Sequence, residues 1–514
     1  MQTILFSALL LATSAAAEVP AAQAEVASLE VEVPNETGFE RDFAEFTREI
    51  QTAAPDLPGL SAIVVREDHV VATAHWGKAE QETRTPATAE TRWYIASSTK
   101  AFVGAAFALL AQRGEIDLGW TLSELAPDMD FAPELHADEV TLRHLLSHTH
   151  GLASGSIEFR LAYTGQHDPE TLWDLLERLE PNTKAPLGTF KYGNLGYNIA
   201  AMLIERRHGR RWQDIVDNEL TGPLGMRATL TQGLGTARKT EPFAYPYAGN
   251  REGGPEPLYL MKQDQTMQSA GGMYSTANDM GIWLGSQLAS ARDHRPGKLA
   301  QAIRESQVPV ATLDARFGPF ERRGYGLGWY SGPYQGSTVY HSFGSFVGAM
   351  AHASIMPEAN LGVAAMTNED GAGAMAPHIL AAFVYDWFVL GPDQAWEDGR
   401  GRLADLVTAL KMERDRMASS LEERASRSWL MSLPLKSYAG SYCSDVMGMI
   451  TIAPQGDGLG VEFGALQASA EPYTAPDTIR LELIPGRGMV GGFDVNDGKV
   501  DGFNLMETIF HRCD

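Results

Sequence analysis

The chain has 514 residues, of which 44% are apolar and 21% are charged, and its formal net charge is −24. This composition is ordinary for a globular protein, and the length predicts a core domain with an appended one rather than a single small domain. The acidic excess argues against nucleic acid and anionic membranes as partners, because both are bound through basic patches.

The first residues have the pattern of an export signal. An apolar run over residues 4–12 precedes Ala15-Ala16-Ala17, which predicts a signal peptide over residues 1–17 and a periplasmic or secreted protein. Cleavage after Ala24 is one alternative, and a disordered Ala-rich tail is another. A flexible leader is expected over residues 18–38. No later run reaches about 18 uninterrupted apolar residues, so no membrane span is predicted.

The first predicted elements are a helix and a hairpin. Three phenylalanines at helical spacing predict a helix over about residues 38–52. Two apolar runs follow, at residues 60–65 and 70–74, and the polar residues between them predict a β-hairpin.

The segment after this hairpin contains the tetrad Ser97-x-x-Lys100 at the start of a predicted helix that Gly114 ends. A lysine three residues after a serine lies one turn along the same helix face, and a helix start offers unpaired N–H groups to an oxyanion. Ser97 is therefore the predicted nucleophile. The competing interpretation is an N-cap serine with a solvated lysine, since about one or two such tetrads arise by chance in a chain of this length.

The order of the remaining elements indicates an α+β fold. A mostly helical stretch over residues 100–288 is followed by strand-like runs and a final helix. The strand-like runs cover residues 326–330, 337–340, 349–356 and 361–367, and the helix covers residues 376–389. Strands at both ends with helices between them predict an antiparallel sheet flanked by helices, with a mostly helical second lobe.

The last part of the chain is predicted to be a small all-β domain. A helical linker is expected over residues 393–433, and short strands separated by turn signals over residues 434–514. Cys443 and Cys513 both lie there, and in an exported protein an even count suggests one disulfide. Two buried thiols are the alternative.

Two further motifs carry candidate catalytic groups. Tyr192-x-Asn194 lies in the helix-rich stretch, and a phenol with its ordinary pKa near 10 is a poor base unless a cation such as Lys100 stabilises the phenolate. The sequence His-Ser-Phe-Gly at residues 341–344 follows a predicted strand. A strand beside Ser97 would offer a backbone N–H as a second oxyanion donor.

Together these motifs resemble the serine β-lactamase and penicillin-binding protein family, especially its class C-like esterases and D-aminopeptidases. Further segments resemble family landmarks, in family order, within residues 40–390. These segments are residues 142–152 (LRHLLSHTHGL), 223–226 (PLGM), 270–276 (AGGMYST) and 325–329 (YGLGW). The resemblance implies a β-lactamase-like hydrolase domain over residues 39–392 with no metal or organic cofactor.

The resemblance also implies roles for individual residues. Ser97 would be acylated, and Lys100 would help to remove its proton. Tyr192 would be the general base, would protonate the leaving group and would later activate water. Asn194 would hold Lys100 and contact a small-molecule ester or peptide substrate.

The third motif implies the rest of the site and contains a departure from the family pattern. His341 would stand where many relatives have lysine and would stabilise Tyr192 or a substrate carboxylate. Gly344 would supply an oxyanion N–H together with Ser97. Phe343 occupies a place that is usually glycine, which predicts a narrower cleft that restricts β-lactam entry.

The expected function is an exported serine hydrolase that works through an acyl-enzyme, with an esterase as first choice. A D-aminopeptidase or D,D-carboxypeptidase is second and a β-lactamase third. A catalytically silent peptidoglycan or ligand sensor is an alternative of a different class. His144, His148 and His150 have spacings that suit a metal, but no convincing carboxylate partner is apparent, so no metal site is predicted.

Overall fold

The structure is a computed structural model that describes residues 38–249, 253–292 and 296–514. The predicted signal peptide and residues 18–37 of the predicted leader lie outside the described residues.

A nine-stranded antiparallel sheet forms the centre of the first domain. Its strands are β1 (Gly59–Arg66), β2 (His69–Glu80), β3 (Thr85–Pro86), β4 (Ala311–Phe317), β5 (Phe320–Tyr325), β6 (Tyr330–Tyr334), β7 (Ser337–Phe346), β8 (Ala349–Met356) and β9 (Leu361–Thr367). Across the sheet they run in the order β4-β5-β6-β7-β8-β9-β1-β2-β3. β1 pairs with β9 from Leu60 opposite Thr367 to Arg66 opposite Leu361, so the two ends of the domain meet in one sheet. The predicted α+β architecture is confirmed.

Helices cover both faces of this sheet. The longer ones are α1 (Phe39–Ala53), α2 (Thr99–Arg113), α3 (Leu195–His208), α4 (Ala277–Arg292), α5 (Lys298–Gln307), α6 (Ala376–Val389) and α7 (Pro392–Ala425). β1 is buried on both sides because alternate residues project to opposite faces. Ile63 and Val65 join the core that contains α2 and α4, whereas Ala62 and Val64 join the core that contains α1 and α6.

Short elements complete the helical lobe and its connections. The short α-helices are Leu122–Leu125, Leu142–Leu146, Gly155–Phe159, Pro169–Asp174, Trp212–Val216, Gly222–Leu224, Leu234–Ala237 and Gln268–Gly271. The 3₁₀ turns are Ala96–Ser98, Pro133–Leu135, Leu175–Arg178, Pro357–Ala359, Ala372–Ala374 and Leu435–Tyr438, and the π-helical turns are Arg160–Thr164 and Asp217–Thr221. The two-residue strand pairs are Trp93–Tyr94 with Tyr274–Ser275, Leu152–Ala153 with Glu180–Pro181, and Tyr247–Ala248 with Glu256–Pro257. Among the helices of the described ranges, none is long and apolar enough to cross a bilayer.

The predicted strand over residues 326–330 is wrong in most of its length, because residues 326–329 form a turn and β6 begins only at Tyr330. The reason is close packing of the turn against α2. A Cβ on Gly328, whose φ is +107°, would lie 2.4 Å from the Cα of Ala101. Likewise, a Cβ on Gly104 of α2 would lie 2.0 Å from the carbonyl oxygen of Leu327.

The C-terminal part forms a second sheet. Its strands are β10 (Gly440–Ser444), β11 (Gly448–Gln455), β12 (Gly458–Phe463), β13 (Leu466–Ser469), β14 (Glu471–Pro472), β15 (Thr478–Ile484), β16 (Arg487–Asn496), β17 (Lys499–Leu505) and β18 (Thr508–Arg512). They pair in the order β13-β12-β11-β10-β18-β17-β16-β15-β14. Cys443 and Cys513 form a disulfide, so the alternative of two buried thiols is wrong.

The C-terminal sheet docks on the first domain near residues 159–166. Arg160 donates from Nε to the carbonyl of Val446 at 2.7 Å, and the Phe159 and Phe463 rings lie 5.6 Å apart. One apolar cluster combines residues of the C-terminal strands with Tyr94 and Ala96, which directly precede the predicted nucleophile. The C-terminal domain therefore shares an apolar cluster with the segment that leads into Ser97.

We expect Gly104→Ala to lower the free energy of unfolding by about 1–3 kcal/mol, because its methyl group overlaps the Leu327 carbonyl. Gly285→Ala in α4 is the matched control, since no atom outside its own helix lies within 4 Å of the added Cβ. That control should gain about 0.5–1 kcal/mol from helix propensity. Urea unfolding measures both, and equal effects would contradict the close approach.

Candidate active site

Ser97 lies in a 3₁₀ turn, Ala96–Ser98, that leads directly into α2. Ala96 has a φ of +42°, a strained value for a residue with a side chain. The early position of Ser97 in the turn leaves its N–H without a partner within the helix. The nucleophile predicted from the sequence is thus at a helix start, with 8% of its surface exposed.

Lys100 lies beneath Ser97 and is 1% exposed, which excludes a solvated lysine. Its Nζ contacts three acceptors: Ser97 Oγ at 3.0 Å, Asn194 Oδ1 at 2.9 Å and the Ala270 carbonyl at 2.6 Å. Burial lowers the pKa of Lys100 to about 7, against a smaller opposing effect of the Glu158 carboxylate. Near neutral pH a large fraction of the amine can therefore accept a proton.

Tyr192 precedes α3 in the chain, and Asn194 is the N-cap residue of that helix. The centroid of the Tyr192 ring lies 5.1 Å from Lys100 Nζ. Burial raises the pKa of Tyr192 to about 12, while the Ser97 hydroxyl and the charge of Arg322 lower it in part. Tyr192 is therefore a neutral phenol at physiological pH.

Gly344 on β7 comes against the start of the nucleophile turn. A Cβ built on it would lie 1.8 Å from the Ile95 carbonyl and 3.0 Å from the Ser97 nitrogen. β6 pairs with β7 only from Ser337 to His341, so the part of β7 that contains Gly344 is not paired with β6. The two predicted oxyanion donors are thus neighbours.

A family model described as Beta-lactamase matches residues 43–384. The chain belongs to the β-lactamase family. Over 80% of its length the chain is 25% identical to the unguisins hydrolase ungD′ of Aspergillus campestris and covers 78% of that protein.

Solved structures show the same fold. The octameric penicillin-binding protein homologue of Pyrococcus abyssi has a TM-score of 0.57 at 20% identity, with 91% of this chain and 99% of that chain covered. A class C β-lactamase of Rhodobacter sphaeroides has a TM-score of 0.52 at 19% identity, with 67% of this chain and 99% of that chain covered. The family and the geometry agree on a serine hydrolase.

His341 lies apart from the group formed by the other predicted residues, in an aromatic cluster. Its ring is fully buried against Phe320, Tyr330 and His352, with ring centroids at 5.5, 5.5 and 6.3 Å. Neither ring nitrogen has a hydrogen-bond partner in the described ranges. Burial, with a further contribution from the charge of Arg322, holds the pKa of His341 well below its usual range. A neutral imidazole in this position supplies no cation to Tyr192.

Phe343 packs beside Tyr192 in this β-lactamase-family protein. Its ring stacks on Tyr192, with the centroids 5.9 Å apart and an interplanar angle of 30°, and it also stacks on Phe317 at 5.1 Å. The side chain is half-buried, so part of the Phe343 ring is exposed beside Tyr192.

The structure brings three further residues to the site that the sequence did not indicate. The His148 ring lies 4.6 Å from the Tyr192 ring. Glu158 approaches the backbone between Tyr192 and Asn194, because a Cβ on Gly193 would lie 3.0 Å from its Oε1. Arg322 lies on β5, and its guanidinium packs against the rings of Phe317, Tyr330 and Phe343, which we call the aromatic wall. His148 lies in a segment that resembles a family landmark, but nothing in the sequence placed it beside Tyr192. Glu158 and Arg322 lie in no such segment, so only the fold reveals them.

The three histidines near residue 148 have separate partners. His144 completes the capping box of a short helix with Thr141, and His148 Nε2 is 3.1 Å from the Tyr325 hydroxyl. His150 Nδ1 accepts a hydrogen bond from the Leu152 N–H at 3.0 Å. Within the described ranges, no group of three His, Cys, Asp or Glu residues is placed to hold a metal ion.

We expect kcat/KM to rise with pH through about 7, since the buried Lys100 must lose its proton to act as a base. Glu158→Gln removes a charge that favours protonated Lys100, so the midpoint of this rise should move to lower pH. Glu170→Gln, whose carboxylate pairs with Arg206 at the surface, should leave the midpoint in place. pH–rate profiles of the three proteins test the assignment, and a midpoint unmoved by Glu158→Gln would contradict it.

Proposed function

We propose that this protein is an exported serine hydrolase that cleaves esters through an acyl-enzyme on Ser97. The observation that carries the proposal is the buried Lys100 amine, which contacts Ser97 Oγ at 3.0 Å and has a pKa lowered to about 7. The signal-like N-terminus and the Cys443–Cys513 disulfide support a location outside the cytoplasm, where disulfides persist.

In acylation, neutral Lys100 takes the Ser97 proton while Oγ attacks the substrate carbonyl. The N–H groups of Ser97 and Gly344 donate to the oxyanion that forms. Because its pKa is about 12, Tyr192 holds its proton at this point and is not the first base. This order differs from the roles implied by the sequence resemblance, where Tyr192 takes the proton.

When the tetrahedral intermediate collapses, Tyr192 donates its proton to the leaving alkoxide and becomes a phenolate. The Lys100 ammonium then returns the Ser97 proton to the phenolate, which restores both groups. In deacylation the attacking water gives its proton to Lys100, and Ser97 Oγ regains a proton as the acid leaves. Asn194 fixes the amine by accepting its hydrogen bond at 2.9 Å.

Phe343 supports esters over β-lactams as substrates. Its ring fills the space beside Tyr192 where the resemblance implies glycine, and a fused bicyclic lactam needs more room there than an extended ester chain. The second candidate, a peptidase for D-amino-acid peptides, is supported by Glu158. This carboxylate has no ion-pair or hydrogen-bond partner among the described side chains, and it lies against Gly193, where it suits a substrate ammonium group.

We expect Ser97→Ala to abolish labelling by a fluorophosphonate and to lower ester turnover by at least about 10³-fold, since no other nucleophile replaces its oxygen.

Tyr192→Phe should lower kcat for alkyl esters by roughly 10²- to 10⁴-fold, because the leaving group then lacks its acid. Mass spectrometry after labelling detects the fluorophosphonate adduct, and steady-state rates of ester hydrolysis give the turnover of both variants. Failure of the folded wild type to label or turn over any ester, D-Ala peptide or cephalosporin would favour the sensor instead.

Phe343→Gly should raise the rate of acylation by a chromogenic cephalosporin relative to that by p-nitrophenyl acetate, because it removes the ring that narrows the cleft. Ser345→Ala on the same strand is exposed and serves as the control. The ratio of the two kcat/KM values is the measurement. An unchanged ratio would remove Phe343 from the determinants of specificity.

A further inference from the structure

Arg322 on β5 has an unusual environment for a guanidinium group. The residue is 7% exposed, and its Nε and Nη2 are enclosed without a hydrogen-bond partner in the described part of the chain. No carboxylate of the described residues forms an ion pair with it. Burying a charge in this way is costly, because the group leaves water without gaining hydrogen bonds.

Elsewhere the protein gives its enclosed arginines polar partners: Arg160, which is 5% exposed, donates to the carbonyl oxygens of Val446 and Gln166, and the half-buried Arg402 pairs with a carboxylate. Arg402 donates from Nη1 to Asp386 Oδ2 at 2.7 Å, and that carboxylate is fully buried. Arg322 lacks such a partner and is instead surrounded by aromatic faces. Its Cζ lies 4.0 Å from the ring centroid of Tyr330, 4.5 Å from that of Phe317 and 4.7 Å from that of Phe343. Cation–π attraction offsets part of the cost of burial and leaves the positive charge uncompensated by an anion.

Two of these rings connect Arg322 to the catalytic phenol. Tyr330 and Phe343 stack on Tyr192 at centroid distances of 6.0 and 5.9 Å, with interplanar angles of 29° and 30°. The guanidinium and the phenol therefore contact the same two rings. The rings exclude water, and a charge acts more strongly through such a medium than through solvent.

The other candidate cations on this side are neutral. Burial and the charge of Arg322 hold the pKa of His341, His352 and His378 below the usual range of histidine. An arginine keeps its charge at every pH at which the protein is folded. Arg322 is thus a permanent positive charge on the side of Tyr192 where Tyr330 and Phe343 pack.

We propose that Arg322 is a positioning residue that stabilises, through its charge, the phenolate that Tyr192 becomes when it protonates the leaving group. The proposal rests on the proposed function. The proton moves from Tyr192 to the leaving alkoxide and is replaced from Lys100, and Arg322 neither gives nor takes one. The guanidinium takes the electrostatic role that the sequence assigned to His341.

Other titratable groups also face Tyr192, and all of them are still present in the Arg322 variants. These are Ser97, Lys100, His148, Tyr197, Tyr325 and Tyr330.

The test compares two substrates with the same acyl group on the full-length enzyme. An ethyl ester has a basic leaving group that needs a proton, whereas a p-nitrophenyl ester leaves as a stable anion. Arg322→Met replaces the guanidinium with an apolar side chain of similar length, and Arg322→Lys keeps the positive charge. Arg323→Met is the matched control, because Arg323 is exposed and pairs with Glu321 at 2.9 Å.

We expect Arg322→Met to lower kcat for the ethyl ester by roughly 10- to 100-fold and kcat for the p-nitrophenyl ester by less than about threefold. Arg322→Lys should restore most of the ethyl-ester rate, and Arg323→Met should resemble the wild type. Thermal unfolding of each variant shows that it is folded.

The outcomes separate the inference from the proposed function. Equal losses for both esters in folded Arg322→Met, or no rescue by lysine, would overturn the role of Arg322 while the acyl-enzyme proposal stands. If Arg322→Met fails to fold, Arg322→Lys decides alone. A role that depends on charge requires this variant to keep the wild-type ratio of the ethyl-ester rate to the p-nitrophenyl-ester rate. Absence of turnover by the wild type for both esters would contradict the proposed function itself.

Discussion

The burial of the Lys100 ammonium group is the constraint that organises this site. An amine that is 1% exposed must replace its lost water, and it does so with Ser97 Oγ, Asn194 Oδ1 and the Ala270 carbonyl. These acceptors come from three parts of the chain, the most distant of them 170 residues from Lys100. Holding one cation therefore fixes the nucleophile, the start of α3 and the helix at residues 268–271 relative to one another.

Glycines make this convergence possible because they let backbones approach where a side chain would not fit. Gly328 packs against the backbone at Lys100 and Ala101, and Gly344 packs against Ile95. Gly196 does the same for the α3 side, where a Cβ would lie 2.2 Å from the Leu145 carbonyl. Gly328, in one of the segments that resemble the family, is thus explained by its close approach to the helix that carries Lys100.

Sequence patterns predicted the parts of the fold that depend on local chemistry. β8, β9 and α6 have the predicted bounds, because long apolar runs mark buried elements. The hairpin of β4 and β5 was missed, since β4 is an edge strand with mostly polar, exposed side chains that carry no alternating signal.

Ser97, Lys100, Tyr192 and Asn194 were singled out because their spacing is local or resembles a family motif. Arg322 and Glu158 were not found, since their importance depends on which residues the sheet and the helical lobe place opposite them. The surroundings of His341 could not be predicted, because a strand position does not reveal whether a ring meets the cleft or an aromatic cluster.

In the proposed mechanism, the aromatic wall affects both which substrates bind and how readily Tyr192 gives up its proton. Phe343 narrows the cleft on one side and, with Tyr330, shields the Arg322 charge from water on the other. A glycine at residue 343 would open the cleft and would also admit solvent between the guanidinium and the phenol, which weakens the field at Tyr192. In the proposed mechanism, a wider cleft therefore weakens the electrostatic support for Tyr192, so that Phe343 would serve both substrate selection and proton transfer.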